Sequence, residues 1–236
     1  MKVTVIMPAF NEEMTARIMI ERVLDQRCVG QVIFVDDASS DDTYQIVSTI
    51  RDKRLVRIKH EKNMGKGSAI RTASQHVACD IVLIQDADLE YSPEEYLKLI
   101  KPILENKADV VYGSRFQSGE ARRILYFWHF VGNKFLTLLS NMFTDLNLSD
   151  METCYKVIRA DFFRNVKIQE SRFGFEPEIT GKLSALGARF YEVSITYDGR
   201  TYEDGKKIGA KDGFRAIWCI LKYNKVRMRR RLVPGA

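Results

Sequence analysis

Several signatures are missing from these 236 residues, and each absence removes a class of function. No G-x-G-x-x-G follows the first apolar run, so a dinucleotide-binding turn is not expected there. GKGS at 65–68 lacks the upstream glycine of a triphosphate-binding loop. Cys28, Cys79, Cys154 and Cys219 are scattered with no C-x-x-C pair, which speaks against structural zinc and a disulfide framework and for a reducing compartment. His60, His76 and His129 have no metal-ligand spacing and read as surface or core residues. No stretch of about 18 uncharged apolar residues occurs, so no membrane-crossing helix is expected. Lys2 and a short apolar run lead directly to Pro8 without a signal-peptide pattern, and a cytoplasmic location follows as the expectation.

What is present is ordinary for one soluble domain: 45% apolar and 29% charged residues, enough to build a sizeable core. The net charge of +6 is uneven, because KYNKVRMRRR at 222–231 carries six Lys/Arg and no acid. Such a run is a solvated tail or a binder of polyanions; an anionic membrane surface is favoured here, and no nucleic acid partner is expected.

Short β-branched runs alternate with helix-compatible stretches. Strands are expected at 2–7, 31–35, 54–58, 79–84 and within ADVVYG at 108–113. Helices are expected at 12–27, 41–52, 66–77 and 92–104, the last opening on Ser92, Pro93 and two glutamates. The pattern is that of an α/β open sheet, whose ligands bind beyond the carboxyl ends of the strands. PAFNEE, DDASSDDT, NMGKG and QDADLE each follow one strand, so four polar loops converge on one edge. In the last of them an apolar strand delivers Asp86, Asp88 and Glu90 together. Three acids repel one another unless something positive lies between them, and the alternatives are helix-capping aspartates or a divalent cation.

VIMPAFNEE, VIFVDDASSDDT, NMGKGSAIRTA, IQDADLEY and VYGSRF, in that order, resemble a family 2 glycosyltransferase of the GT-A fold, nearest the branch of dolichol-phosphate mannosyltransferases and related polyprenyl-phosphate sugar transferases. The resemblance implies an open, mostly parallel twisted sheet with helices on both faces. Residues 1–215 would form the catalytic domain, with a nucleotide-binding half at 1–115 and an acceptor-binding half at 116–215, followed by a basic helix or tail at 216–236. It also implies an inverting, metal-dependent transfer of a sugar from a UDP- or GDP-sugar. Pro8, Phe10, Glu12 and Asp37 would line the nucleotide, with Asp36 structural. Lys66 would contact the diphosphate or flank the base, and Asp86, Ala87 and Asp88 would meet the donor. Asp88 and then Glu90 would hold Mg2+ or Mn2+; Glu90 departs from relatives that carry Gln there. A hard cation of this kind suits carboxylate and phosphate oxygens.

For the acceptor, a polyprenyl or dolichyl phosphate is favoured and a saccharide hydroxyl is the alternative. A phosphate monoester is already ionised and needs positive charge to position it, for which Arg115, Arg122, Arg123, Arg200, Lys206 and Lys207 are the candidates. Lys211 ranks behind Arg200 and Lys206, because the segment 197–213 departs from the relatives' Arg-x-x-Gly-x-Ser-Lys loop. A hydroxyl acceptor needs a base, and Asp150 in SDMETCYKVIR is the candidate; for a phosphate it would orient an arginine or the donor sugar instead. Other classes to be weighed are a sugar-1-phosphate nucleotidyltransferase, which would carry a Gly-rich basic loop where PAFNEE stands, and a non-catalytic binding module. ILYFWHFVGNKFLTLLSNMF at 124–143 has one charge in twenty residues and reads equally as an amphipathic helix lying on the membrane or as a helix pair packed on the sheet or a dimer interface. Peripheral association with the cytoplasmic face of a membrane is therefore an expectation, and an oligomer is left open.

Overall fold

The computed structural model describes residues 1–117, 123–124, 126–199 and 210–224, with backbone alone at 210–212. Along the chain lie β1 (Val3–Ala9), α1 (Ala16–Leu24), β2 (Val29–Asp36), α2 (Thr43–Ser48), β3 (Leu55–Lys59), α3 (Lys66–Ser74), β4 (Ile81–Ile84), a 3-10 turn (Pro93–Glu95) running into α4 (Tyr96–Leu104), and β5 (Val110–Ser114). The second half holds α5 (Phe127–Thr144), β6 (Lys156–Arg159), α6 (Ala160–Asn165), α7 (Phe175–Ala185), β7 (Phe190–Ser194) and α8 (Ala210–Tyr223), which runs across position 215.

The strands form one seven-stranded sheet in the order β3-β2-β1-β4-β6-β5-β7. Every neighbouring pair is parallel except those made by β6, which runs against both β4 and β5. Central strands of such a sheet are covered on both faces, and all seven residues of β1 and all four of β4 are buried. Reversal of β6 brings its first residues to the edge where the other six strands end. The loops that follow β1, β2, β3, β4 and β5 and the loop that precedes β6 therefore meet at that edge.

The expected helices are there but shorter at their ends. The N-cap of α2 is Asp42, which makes no side-chain capping bond; Asp41, one residue earlier, accepts the Thr43 amide at 3.0 Å. Ser92 does not cap; its hydroxyl donates to Glu94 at 2.6 Å and receives Arg22 at 3.1 Å, which ties the 3-10 turn to α1. The segment from 124 to 143 is one continuous helix from Phe127, with an unusual distribution of polarity. Asn133, Thr137, Ser140 and Thr144 face inward, while Phe127, Trp128, Phe135, Leu138 and Met142 are exposed. Among the described residues no helix is long and apolar enough to cross a membrane.

Candidate active site

Each of the first four loops at the carboxyl edge contains a residue in left-handed backbone: Asn11 (φ 54°), Ala38 (φ 60°), Gly65 (φ 89°) and Leu89 (φ 60°). Three of these carry a side chain and cost roughly 1 kcal/mol or more each, so the surrounding contacts must hold them. They do so pairwise. Asn11 donates its amide to Ser39 Oγ and accepts the Ser40 amide, both at 2.9 Å, and the Glu12 amide donates to Thr43 Oγ1 at 2.8 Å.

On the nucleotide side, Pro8 is buried within β1 and Phe10 lies half-buried just beyond it. The Glu12 carbonyl accepts the Thr15 and Ala16 amides at the start of α1, and its carboxylate accepts the Thr15 hydroxyl at 3.0 Å. Asp37 is only 3% exposed. Its carboxylate accepts the Met64 and Gly65 amides at 2.9 and 2.6 Å and faces His60 Nδ1 at 2.7 Å. The acid expected to meet the nucleotide thus also shapes NMGKG, and His60 is its buried partner. Asp36 is fully buried; its Oδ2 accepts the Ser39 amide at 3.3 Å, while its Oδ1 has no hydrogen-bond partner.

The glycines of NMGKG answer to a close approach. A Cβ on Gly65 would strike the Ser171 carbonyl and one on Gly67 the Glu170 carbonyl, and the Ser68 amide donates to Ser171 O at 3.1 Å. Lys66 Nζ then reaches back to Asp86 at 2.9 Å and sideways to Glu176 at 3.2 Å. Burial works to lower the pKa of this ammonium, but Asp86 foremost among its neighbours and Glu176 outweigh burial and hold it well above the ordinary lysine range. Glu176 stands in the first turn of α7 and is 4% exposed. Sequence reasoning missed it, since only the fold brings α7 to this edge; the signal was FEPE, two acids flanking a proline in a helix start.

Ala87 is buried, Asp88 is half-buried, and Asp88 Oδ1 accepts the Glu90 amide at 3.3 Å. Glu90 Oε2 accepts the Tyr197 hydroxyl at 2.8 Å. Beyond β5, Arg115 and Asp150 form a buried bidentate pair, Nε to Oδ2 at 2.7 Å and NH2 to Oδ1 at 2.8 Å, and the Arg115 amide adds a bond to Oδ2 at 3.1 Å. Burial alone would lower the guanidinium's pKa; Asp150 overrides it and raises it well above its usual value. Arg115 also lies 5.2 Å from the Tyr197 ring centre and 5.5 Å from that of Phe116. Glu192 on β7 accepts the Ser149 and Asp150 amides, which fixes the loop that carries Asp150. Arg123 donates its amide to Tyr197 O and its side chain to Gly199 O. Arg115, Phe116, Arg123, Ile124, Phe127, Phe130 and Tyr197 line a cavity of about 270 Å³. Arg122, Arg200, Lys206 and Lys207 lie outside the described residues, as does the side chain of Lys211.

Among the described residues no three His, Cys, Asp or Glu side chains gather as a ready metal cage. Asp86 is ion-paired with Lys66, and one oxygen of Glu90 serves Tyr197. The half-buried Asp88 carboxylate between them offers a hard oxygen donor. That donor set suits a cation whose remaining ligands come from a diphosphate and water, not from a closed protein site.

Residues 4–167 match the family model described as Glycosyl transferase family 2. An undecaprenyl-phosphate mannosyltransferase of Micrococcus luteus is 28% identical over 223 residues, 89% of this chain and 88% of that protein. A UDP-N-acetylglucosamine–dolichyl-phosphate N-acetylglucosaminyltransferase of Methanococcus voltae is 27% identical over 63% of this chain, which spans only 65% of that relative. A dolichol-phosphate mannosyltransferase of Pyrococcus furiosus is 33% identical over half of this chain and 34% of its own length. Among solved structures, glucosyl-3-phosphoglycerate synthase of Mycobacterium tuberculosis in complex with Mn2+, UDP and glucosyl-3-phosphoglycerate superimposes with a TM-score of 0.72 at 17% identity, over 94% of this chain and 80% of that one. The same enzyme has been crystallised with Mg2+ and UDP, with a TM-score of 0.71 at 19% identity, over 94% of this chain and 79% of that one.

Proposed function

The chain belongs to glycosyltransferase family 2, adopts the GT-A fold and is a glycosyltransferase, and from that premise we propose that it transfers a sugar from a nucleoside-diphosphate donor to a polyprenyl phosphate at a membrane surface, with Mg2+ or Mn2+. The observation that carries this reading is the cavity between β5 and α5. Two guanidinium groups, Arg115 and Arg123, share it with Phe116, Ile124, Phe127, Phe130 and Tyr197. A phosphate head joined to a hydrocarbon tail complements that lining. Tyr197 connects the cavity to the donor side through its bond to Glu90. The outward apolar face of α5 continues from Phe127, one of the cavity's own residues, and supports docking on lipid.

Asp88, seconded by Glu90, would hold the cation, which when bound to the donor diphosphate stabilises the charge that builds on the departing nucleotide. Lys66 adds a cation beside Asp86 and is kept charged by it and Glu176. Asp150 has both oxygens on Arg115, so it orients that arginine toward an acceptor phosphate that needs no base. The phosphate oxygen attacks the sugar carbon opposite the leaving nucleoside diphosphate, and the configuration there inverts. UDP and GDP both enter as donors to be tried.

The test is a transfer assay with labelled UDP- and GDP-sugars, short-chain polyprenyl phosphate and Mg2+ or Mn2+, followed by organic extraction. Label is expected in the organic phase only with metal, and Asp88→Ala should lower the rate at least about 100-fold. Label that stays aqueous but enters an added saccharide would replace this reading with transfer to a hydroxyl.

A further inference from the structure

Residues 196–199, which follow β7, are fastened on two sides. Toward the donor loop, the Thr196 amide and hydroxyl donate to Glu95 at 3.2 Å, and the Asp198 amide donates to the Glu90 carbonyl at 3.1 Å. Between them the Tyr197 hydroxyl donates to Glu90 Oε2 at 2.8 Å, and its ring meets that of Tyr91 edge-on with centres 5.2 Å apart. Toward the acceptor cavity, Tyr197 O accepts the Arg123 amide at 2.9 Å and Gly199 O accepts the Arg123 side chain at 3.0 Å. The ring of Tyr197 lines that cavity, with the Arg115 guanidinium 5.2 Å from its centre. Tyr197 is buried, so its hydroxyl depends on the bond to Glu90 more than an exposed one would. One side chain thus touches both the acid assigned beside the cation and the arginine assigned to the acceptor phosphate.

We infer that Tyr197 is a positioning residue that couples the two sites: a cation–nucleotide complex at Asp88 and Glu90 strengthens binding of the acceptor phosphate through the Tyr197 hydroxyl. This rests on the donor and lipid-phosphate readings above and adds an order to them. A carboxylate can serve a cation with one oxygen and a hydroxyl with the other. A Glu90 fixed from its donor side fixes the Tyr197 hydroxyl, and with it the ring against which Arg115 lies. The acceptor then meets a wall already set in place and loses less freedom on binding. Such coupling is reciprocal, so the acceptor tightens the nucleotide by the same factor. Tyr197→Phe removes the hydroxyl, keeps the ring and changes no charge. It therefore separates this path from the direct field of cation and diphosphate, which acts on an acceptor phosphate in either protein.

The experiment is calorimetric titration of the full chain with farnesyl phosphate, first alone and then with saturating Mn2+ and UDP or Mn2+ and GDP, with thermal melting of the variant as the check on folding. A series with Mn2+ alone corrects for cation carried by the lipid phosphate. The readout is the ratio of the affinities with and without nucleotide. A purely structural loss would weaken both by one factor and leave that ratio unmoved. In the wild type the ratio should be about ten, and in Tyr197→Phe it should fall below about two. A wild-type ratio near one, or a ratio that Tyr197→Phe retains, overturns the role of Tyr197 and leaves the acceptor reading intact. Farnesyl phosphate that does not bind under any of these conditions overturns the acceptor reading, and a chain that binds neither nucleotide overturns the donor reading; the coupling falls with either.

Discussion

Arg115 and Asp150 are the residues on which the molecule depends most sharply. Both are buried and each satisfies the other, so removing one partner leaves a charge that neither water nor protein can answer. Asp150→Asn should cost about 3–5 kcal/mol, read as a lower urea midpoint at unchanged slope. Replacing both, as Arg115→Met with Asp150→Leu, should restore much of that stability while abolishing transfer. The acids of QDADLE were legible in the sequence itself, because three carboxylates crowded after an apolar strand demand an explanation. Their partners were not. Lys66 could be seen near the site, but the carboxylate that steadies it, Glu176, lies on another helix over a hundred residues later. Asp37 shows the complementary gap: its acidity pointed to a ligand, while its bonds to the Met64 and Gly65 amides exist only once β2 and the loop after β3 lie side by side.

At the scale of elements, α5 departs furthest from ordinary patterning. Its polar face turns inward because the loop that follows it needs hydrogen bonds. Asn141 clamps Leu148 at both its carbonyl (2.7 Å) and its amide (3.1 Å), Thr137 Oγ1 accepts the Met151 amide at 3.1 Å, and Lys134 Nζ donates to Ser149 O at 2.9 Å. The helix is thus a bracket for the loop that carries Asp150; Leu136, Leu139 and Phe143 pack against the core, and Trp128, Phe135, Leu138 and Met142 remain for the outside. Periodicity located this helix but could not say which face was inward, since both faces carry a coherent stripe. The prediction is a dissociation of effects. Trp128→Ser, Phe135→Ser and Leu138→Ser together should leave the melting temperature within about 2 °C, because these side chains are exposed. The same triple variant should lose co-sedimentation with anionic vesicles, which would show that the outer stripe serves lipid. Unchanged sedimentation would assign that stripe to a protein partner. The strands and helices of the first half were legible, though not the helix ends, because local signals and burial agree there. The reversal of β6 was not legible, since it is decided by the neighbours the strand joins.

Across the whole molecule, Glu170 joins parts that are distant in sequence. Its carboxylate accepts Arg215 at 2.7 Å, Lys222 at 3.1 Å and the Tyr223 hydroxyl at 2.7 Å, all from α8, while its backbone carbonyl presses on Gly67 at the start of α3. Burial alone would raise this acid; the Tyr223, Arg215 and Lys222 donors prevail and bring it down to about 2. A carboxylate lowered on folding contributes its stability above its unfolded pKa of about 4.3 and loses it as pH falls toward 2. Glu170→Gln should therefore melt about 3–6 °C below wild type at pH 7, and calorimetry should find that gap closing between pH 4.5 and about 2.

The reversed strand has a consequence in time as well as in space. β5 pairs only with β6 and β7, both of which follow it in the chain. During synthesis β1, β2, β3 and β4 can assemble as they emerge, whereas β5 must wait exposed for more than forty residues until β6 appears to seat it. The join between the two halves of the sheet is consequently made only once β6 has emerged, with β7 still to follow. A nascent chain stalled before residue 156 would hold the QDADLE loop on an already paired strand and have nothing yet to set opposite it.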